Sequence, residues 1–368
     1  MEKNQKRLIV FMPSMDGGGV EKNLVIVTNF LSKHVENLSL ITFDDGFNKK
    51  FTKKIKIINF QKRTNKKFSK YFKYFICLLI LIREILKNNH TSVISFQANI
   101  YTIILSSILR FNLIIRSNAS PSGWTKSYIK NYLFKIFFRL PKSIIVNSLD
   151  FKKEIDKKFS IKSSLIYNPL NKNEILLKSK EEIKLILFKK KKSLKLLNIS
   201  RFTDQKDHLT LLKAFKKIHQ IINVELLIVG YGANENKIKN FIKQNKLQNK
   251  VKVLGFQDNP YKIIKRSDVF ILTSKFEGLP NVLLESLTLK KFIISTDCPT
   301  GPREILENGK YGFLFKIKNY KQLSLLILKY AKNRSKYQKK IELGHKSLGR
   351  FDFDLNNKKY LNEILRII

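Results

Sequence analysis

The sequence predicts an α/β protein built from two doubly wound parallel sheets, and three observations carry that prediction. Apolar runs of strand length alternate with stretches of helical periodicity, the pattern of a parallel sheet covered on both faces. The pattern pauses at a charge-rich connector, residues 171–193, and then starts again. The 368 residues are too many for one ordinary domain and about right for two. The predicted units are residues 1–170, residues 171–350 and a closing segment 351–368.

The first half opens with KRLIVFM (6–12), a strand, followed by GVEKNLVIVTNFLSK (19–33), a helix because Leu24, Val27 and Leu31 share one face. NLSLITF (37–43) is the second strand, and residues 70–88 are helical. TSVISFQ (91–97) is extended, YTIILSSILR (101–110) helical and NLIIRS (112–117) extended again. SIIVNS (143–148) and SSLIYNP (163–169) close this half. The second half repeats the architecture but no motif. Its strands are SLKLLNIS (193–200), VELLIVG (224–230), KVKVLGF (250–256), DVFILTS (268–274) and KFIISTD (291–297). Helices fall at DHLTLLKAFKKIHQ (207–220) and near 234–246.

The formal net charge of +44 comes mainly from lysine. A coding bias toward Lys, Ile and Asn explains the excess as readily as attraction to an anionic membrane or substrate. Nucleic acid is the weakest of the partner readings, because the lysines are spread along the chain without a basic domain or an RNA-binding signature. A hydrophobic fraction of 43% supports a real core and argues against disorder. The two cysteines, Cys77 and Cys298, build neither a disulfide framework nor a metal cluster, which points to a reducing, cytoplasmic compartment. The opening residues fit a first strand and loop better than a signal peptide. YFICLLILI (74–82) is the longest uncharged apolar run, far short of the ~20 residues a membrane span needs. Lys70, Lys73, Arg83 and Lys87 flank it, so it is either a core helix between strands or an interfacial helix on anionic lipid.

In doubly wound sheets, ligands sit at the carboxyl ends of the strands, so the loops after strands are the ones that matter. SMDGGGVEKN (14–23) places Gly17, Gly18 and Gly19 between a strand and a helix start. That suits either a tight turn or an approaching anion, and it does not match G-x-G-x-x-G. NISRFTDQKDHLT (198–210) places Arg201 and Lys206 after a buried strand, where two cations suit a diphosphate. TSKFEGLPNVLLESL (273–287) carries Glu277 in a loop, Pro280 at a helix start and Glu285 inside that helix. The first-turn amides can hold a phosphate, which leaves the two carboxylates to accept hydroxyls of sugars. STDCPTGPREILENGKYGFLF (295–315) opens a further helix after a further strand.

Taken together, GGGVEKN (17–23), SRFTDQKDHLTLLKAF (200–215), VGYG (229–232), FEGLPNVLLESL (276–287) and DCPTGPREILENGKYGFLF (297–315) resemble the retaining glycosyltransferases of family 4, which have the GT-B fold. Glu277 and Glu285 fit that family's E-x7-E motif. The resemblance covers nearly the whole chain in order and spacing, and is more specific in the second half.

It implies two Rossmann-like domains facing across a cleft, the first on the acceptor side and the second holding a nucleotide sugar. It implies Arg201, Lys206 and Glu277 at the reaction, with Gly17, Gly18, Gly230, Phe256, Asn281, Val282 and Glu285 on the donor. It implies that the closing segment is a helix crossing back to the first domain.

Many members carry a histidine after a strand of the first domain. The equivalent loop here, residues 114–124, has none, since the histidines are His34, His90, His208, His219 and His345; Arg116, Ser117 or Asn118 stands in that region. The site residues on the acceptor side are therefore Arg116 and Asn118. Such enzymes are thought to work without a protein base, the leaving phosphate taking the acceptor proton, so neither metal nor cofactor is expected.

The expected activity is transfer of a sugar from a nucleotide diphosphate sugar, most readily a UDP-sugar, to a lipid-linked glycan of a surface polysaccharide or lipopolysaccharide. The expected place is the inner face of an anionic cytoplasmic membrane. The alternatives are a related enzyme with a soluble or protein acceptor, and a basic nucleic-acid-binding protein, which leaves the glutamate pair unexplained.

Overall fold

The computed structural model describes residues 6–15, 17–60, 68–118, 128–183, 188 and 192–368. It divides into two compact units, Met1–Pro169 with Phe353–Ile368, and Leu170–Asp352.

The first unit runs β1 (Arg7–Phe11), α1 (Gly19–Leu31), β2 (Leu38–Ile41), β3 (Lys56–Ile58), α2 (Lys70–Lys87), β4 (Thr91–Ser95) and α3 (Asn99–Leu109). It continues with β5 (Asn112–Arg116), α4 (Tyr128–Phe137), β6 (Ser143–Val146), α5 (Leu149–Phe159) and β7 (Ser164–Leu165). All strand pairs are parallel, in the order β3-β2-β1-β4-β5-β6-β7. Every residue of β1 and β4 is buried, so both faces of these central strands are covered.

One face of this sheet packs Leu24, Val27 and Leu31 of α1, and also Tyr360 and Ile364 from the returning helix Phe353–Leu365. The other face packs Cys77, Leu81 and Ile85 of α2, Ile103 of α3 and Phe151, Ile155 and Phe159 of α5. Side-chain caps fix where helices begin: Ser69 accepts from the Phe72 amide at α2, and Ser148 from the Phe151 amide at α5. Most of SSLIYNP pairs with nothing as strand. Only Ser164–Leu165 joins the sheet, as an edge beside β6.

The second unit runs α6 (Lys172–Lys178), β8 (Leu194–Ile199), α7 (His208–Ile218), β9 (Val224–Val229), α8 (Glu235–Gln244), β10 (Val251–Leu254) and α9 (Tyr261–Lys265). It continues with β11 (Val269–Leu272), α10 (Asn281–Thr288), β12 (Phe292–Thr296), α11 (Pro302–Ile305), β13 (Phe313–Phe315), α12 (Tyr320–Lys332) and α13 (Gln338–Lys346). The chain then re-enters the first unit as α14 (Phe353–Leu365). Within the second unit the two crossing segments lie side by side, with the Leu170 amide donating to the Phe351 carbonyl at 2.9 Å.

The second sheet is also parallel, in the order β10-β9-β8-β11-β12-β13. The strand order reverses between β8 and β11, and in the first sheet between β1 and β4. At such a reversal, the loops that leave the carboxyl ends diverge to opposite faces and open a crevice.

Candidate functional site

The site is built on the reversal in the second sheet. The loop after β8 carries Arg201 and Lys206, and Asp207 closes it by capping α7, its carboxylate accepting from the Thr210 hydroxyl at 2.7 Å. The loop after β11 carries Glu277 and ends at Pro280, whose ring fixes the backbone just before Asn281 begins α10.

Backbone and hydroxyl bonds stitch these loops together. The Lys275 amide donates to the Gln205 carbonyl and the Thr273 hydroxyl to the Lys206 carbonyl, each at 2.8 Å. Gln205 Nε2 donates to the Phe276 carbonyl at 2.8 Å, and the Thr300 hydroxyl to the Glu277 carbonyl at 2.5 Å.

Within that lattice Lys206 Nζ donates to Glu277 Oε1 at 2.5 Å, with both side chains mostly buried. A charge-assisted bond in a poorly hydrated place is among the stronger polar contacts, and losing either partner strands the other charge. Sequence reasoning gave the two residues separate duties, one on phosphate and one on sugar. The structure puts them in direct contact. Arg201, in the same loop as Lys206, is exposed, and among the described residues no ion pair engages it. Glu285 is buried one helical turn beyond Asn281, while Asn281 and Val282 are half-buried in the first turn of α10.

The loop after β9 adds the close backbone approach that glycine allows. Gly230 has φ +153°, and a Cβ there would collide with the Ser200 carbonyl oxygen. The Phe202 amide donates to the Tyr231 carbonyl at 2.7 Å, and the Asn234 amide to the Phe202 carbonyl at 2.9 Å, locking this loop to the one bearing Arg201. Phe256, after β10, is largely exposed and meets Tyr231 edge-on at 5.8 Å between ring centroids. Gly301, to which no role was given from sequence, has φ +79° and lies directly against the Gly278 carbonyl under the loop that holds Glu277. Its only sequence signal was a Gly-Pro pair at a helix start.

His208 anchors the same loop. Its Nε2 lies 3.0 Å from the Ser200 hydroxyl and its ring stacks edge-on against Phe202. Burial, with Lys206 adding to it, holds its pKa down at about 4. The unfolded chain therefore binds the proton first as pH falls, so stability is lost from about pH 6.5 downward, and the loss is complete below about pH 4. The full effect is on the order of 3 kcal/mol. His208→Gln should lose less stability than the parent between neutral pH and pH 5, as read by urea unfolding. Cys298, also nearby, is pushed up to about 12 by burial and then by Glu277, so it remains a thiol.

In the first unit, Gly17 has φ +80°, and the Gly18 amide donates to the Glu21 carboxylate at 2.9 Å, at the start of α1. Asp44 accepts from the Met15 amide at 3.0 Å and pairs with Lys73 at 2.7 Å, while Gln97 accepts from the Ser14 amide at 3.0 Å. These long-range partners hold the glycine loop. Asp16 in that loop, and residues 119–124 of the loop where a histidine is missing, lie outside the described residues.

Arg116 is 0% exposed. Its Nε donates to the Tyr360 hydroxyl and its Nη2 to Asn168 Oδ1, both at 2.7 Å, while Nη1 donates to Asn118 Oδ1. Its guanidinium also lies over the Phe96 ring. Each guanidinium nitrogen of Arg116 thus donates to a partner in its own unit, an arrangement the sequence did not suggest. Asn118 alone of the pair stays partly exposed. Among the described residues, no group of three or more His, Cys, Asp or Glu side chains comes together as a metal site.

Comparison with known proteins bears on this geometry. Residues 179–347 match the model of the glycosyl transferases group 1 family. An uncharacterized glycosyltransferase of Methanocaldococcus jannaschii is 35% identical over 234 residues, 58% of this chain and 57% of that protein. The N-acetylgalactosamine-N,N'-diacetylbacillosaminyl-diphospho-undecaprenol 4-alpha-N-acetylgalactosaminyltransferase of Campylobacter jejuni is 28% identical over 241 residues, 64% of each. The matched stretch thus spans less than two thirds of either relative. The crystal structure of Anabaena HepE with UDP-glucose superposes with a TM-score of 0.79 at 18% identity, covering 98% of this chain and 100% of that one. A likeness at that identity bears out the two-sheet GT-B fold expected from the sequence.

Proposed function

We propose that the chain, whose residues 179–347 match the glycosyl transferases group 1 model, is a glycosyltransferase that moves a hexosyl group from a nucleoside diphosphate sugar to a glycan, retaining configuration at the anomeric carbon. The observation that carries this reading is the Lys206–Glu277 pair at the reversal of the second sheet, which joins the loop that also bears the exposed Arg201 to the loop that leads into α10.

The chemistry follows from charge. As the bond between the anomeric carbon and the β-phosphate oxygen breaks, negative charge grows on the diphosphate. Arg201, Lys206 and the first-turn amides near Asn281 and Val282 stabilise that charge most where it is greatest, in the transition state. Lys206 must then shift from Glu277 toward phosphate, which releases the carboxylate to accept hydroxyls of the transferred sugar. The acceptor hydroxyl attacks from the face the diphosphate leaves, and its proton passes to the departing oxygen. No divalent cation is needed for this step. Glu285 accepts the ribose hydroxyls, and Phe256 with Tyr231 offers an aromatic edge to the base.

A uridine nucleotide is the donor we favour, in keeping with the UDP-glucose held by HepE. The acceptor we favour is a lipid-linked glycan, as the name of the Campylobacter jejuni relative describes for that enzyme. A charge of +44 suits a diphosphate-linked lipid and the anionic inner face of a cytoplasmic membrane. Assembly of a surface polysaccharide or lipopolysaccharide is the setting this implies.

The test is a panel of UDP-, GDP-, ADP- and CMP-sugars, scored by thermal stabilisation and then by slow hydrolysis. One uridine sugar should raise the melting temperature and be hydrolysed. Glu285→Ala should weaken its binding about 10- to 100-fold, the loss of charge-assisted bonds, with little change in turnover at saturation. If no nucleotide sugar stabilises the protein, or if Glu285→Ala binds as the parent does, the reading fails.

A further inference from the structure

Helices α2, α3 and α4 lie side by side in the outer layer on one face of the first sheet, which α5 continues, with α3 packed against both α2 and α4. Their sheet-facing sides are apolar, as expected. Their outward sides are apolar too, and with helical period. On α2 the positions Phe72, Phe75, Leu79 and Leu86 are exposed and fall within roughly 80° of the helix circumference at 3.6 residues per turn. Phe75 is 59% and Leu86 67% exposed, while Tyr74, Cys77, Leu81 and Ile85 on the far side are buried. On α3 the outward positions are Tyr101, Ile104 and Ile108, the last 68% exposed. On α4 they are Tyr132, Leu133 and Ile136. Tyr74 joins α2 to α3, with its ring 6.2 Å from that of Tyr101. An ordinary outer layer carries charged residues at these positions. An apolar stripe that recurs on adjacent helices marks a surface meant to be covered.

The charges say by what. Exposed ionisable side chains on this layer are basic: Lys70, Arg83 and Lys87 on α2, Arg110 just after α3, and Lys135 on α4 with Arg139 following it. The one acid of α2, Glu84, is buried and paired with Arg7 at 2.8 Å and Lys87 at 3.0 Å. A second copy of such a face would be repelled, whereas an anionic headgroup layer is attracted to the cations and admits the rings and aliphatic chains at its boundary. Among the described residues no helix is long and apolar enough to cross a membrane, so the helices would lie along the surface.

We propose that the outward face of α2, α3 and α4 docks the protein on an anionic lipid bilayer. This deepens the membrane reading given above and rests on it, but it uses none of the residues assigned to the nucleotide-sugar site.

The test is co-sedimentation with phosphatidylglycerol-containing vesicles and with phosphatidylcholine vesicles, at low and raised salt. The full-length protein should bind the anionic vesicles, release with salt and leave the neutral ones largely unbound. The combined variant Phe75→Ser, Leu79→Ser, Ile108→Ser should bind anionic vesicles at least roughly tenfold more weakly. Its melting temperature and its hydrolysis of nucleotide sugar in solution should be unchanged, because all three side chains face outward. Arg83→Gln with Lys135→Gln should reduce the salt dependence. If the parent binds anionic vesicles and the triple variant binds them equally, this face is the wrong one, although the membrane reading survives. If the parent ignores vesicles of either kind, both fall and the sugar-nucleotide site is untouched. If the parent self-associates without lipid and the triple variant does not, the face covers a second copy and the proposal is overturned.

Discussion

Lys206→Ala should reduce turnover about 10²- to 10³-fold while nucleotide affinity stays within a few-fold of the parent. That range is the usual cost of removing one preorganised donor aimed at developing negative charge. The ground-state diphosphate still has Arg201 and the α10 amides, so binding suffers less than the step in which the charge grows. Stability should fall as well, because Glu277 is left mostly buried without the cation 2.5 Å away. A double variant separates the two effects. Lys206→Met with Glu277→Leu removes both charges, so its melting temperature should recover most of the loss, while turnover stays at or below that of Lys206→Ala. Steady-state kinetics beside thermal melts of the single and double variants would check this. Parental turnover in Lys206→Ala would refute the assignment of Lys206 to the leaving group. Recovery of both stability and turnover in the double variant would make the pair purely structural.

Gly230→Ala should be the most damaging of the small substitutions. The residue sits at φ +153°, a region side chains avoid, and the added carbon would run into the Ser200 carbonyl oxygen, a backbone atom that cannot swing aside. The cost is on the order of 2–4 kcal/mol, or roughly 5–15 °C in melting temperature. The damage should also reach the site, because Ser200 directly precedes Arg201 and the loop after β9 is bonded to Phe202. Nucleotide binding should therefore weaken even well below the melting temperature. Gly255→Ala is the control: nothing lies within 4 Å of a Cβ built there, so it should melt close to the parent. Equal melting temperatures for the two variants would show that the approach at Gly230 is relaxed in solution.

Central strands were legible in the sequence because burial on both faces gives them short unbroken apolar runs, as in LIVF of β1, LLIV of β9 and VFIL of β11. The shortest edge strands were not. β3 and β13 have three residues each, too few to show any period, and the two residues of β7 were read only within a longer run, whereas the four-residue edge strand β10 was legible. Helix α6 hid in the charged connector, although Asn171 followed by Glu174 is a cap signature, and the Asn171 side chain does accept from the Glu174 amide at 3.0 Å.

At the site, the loops could be found from their place after strands, and Gly230 from its neighbours in VGYG. The Lys206–Glu277 contact could not, because it joins residues 71 positions apart and local pattern says nothing about which cation meets which acid. The surroundings of Arg116 were hidden for the same reason. A basic residue at a strand end suggests an open site, and only Asn168 and Tyr360, 52 and 244 positions away, turn it inward.

The return of the chain to its first unit sets an order of assembly during translation. Tyr360 and Ile364 of α14 are fully buried in the core of a sheet whose first strand begins at Arg7, and Tyr360 is one of three hydrogen-bond partners of the interred Arg116. The ribosome makes Leu170–Asp352 in between. The second unit can therefore be finished while the first still waits, one face of its sheet covered by α1 alone and an arginine short of an acceptor. A nascent chain stalled before residue 353 would carry a complete second unit and an unfinished first one exposed to chaperones and proteases.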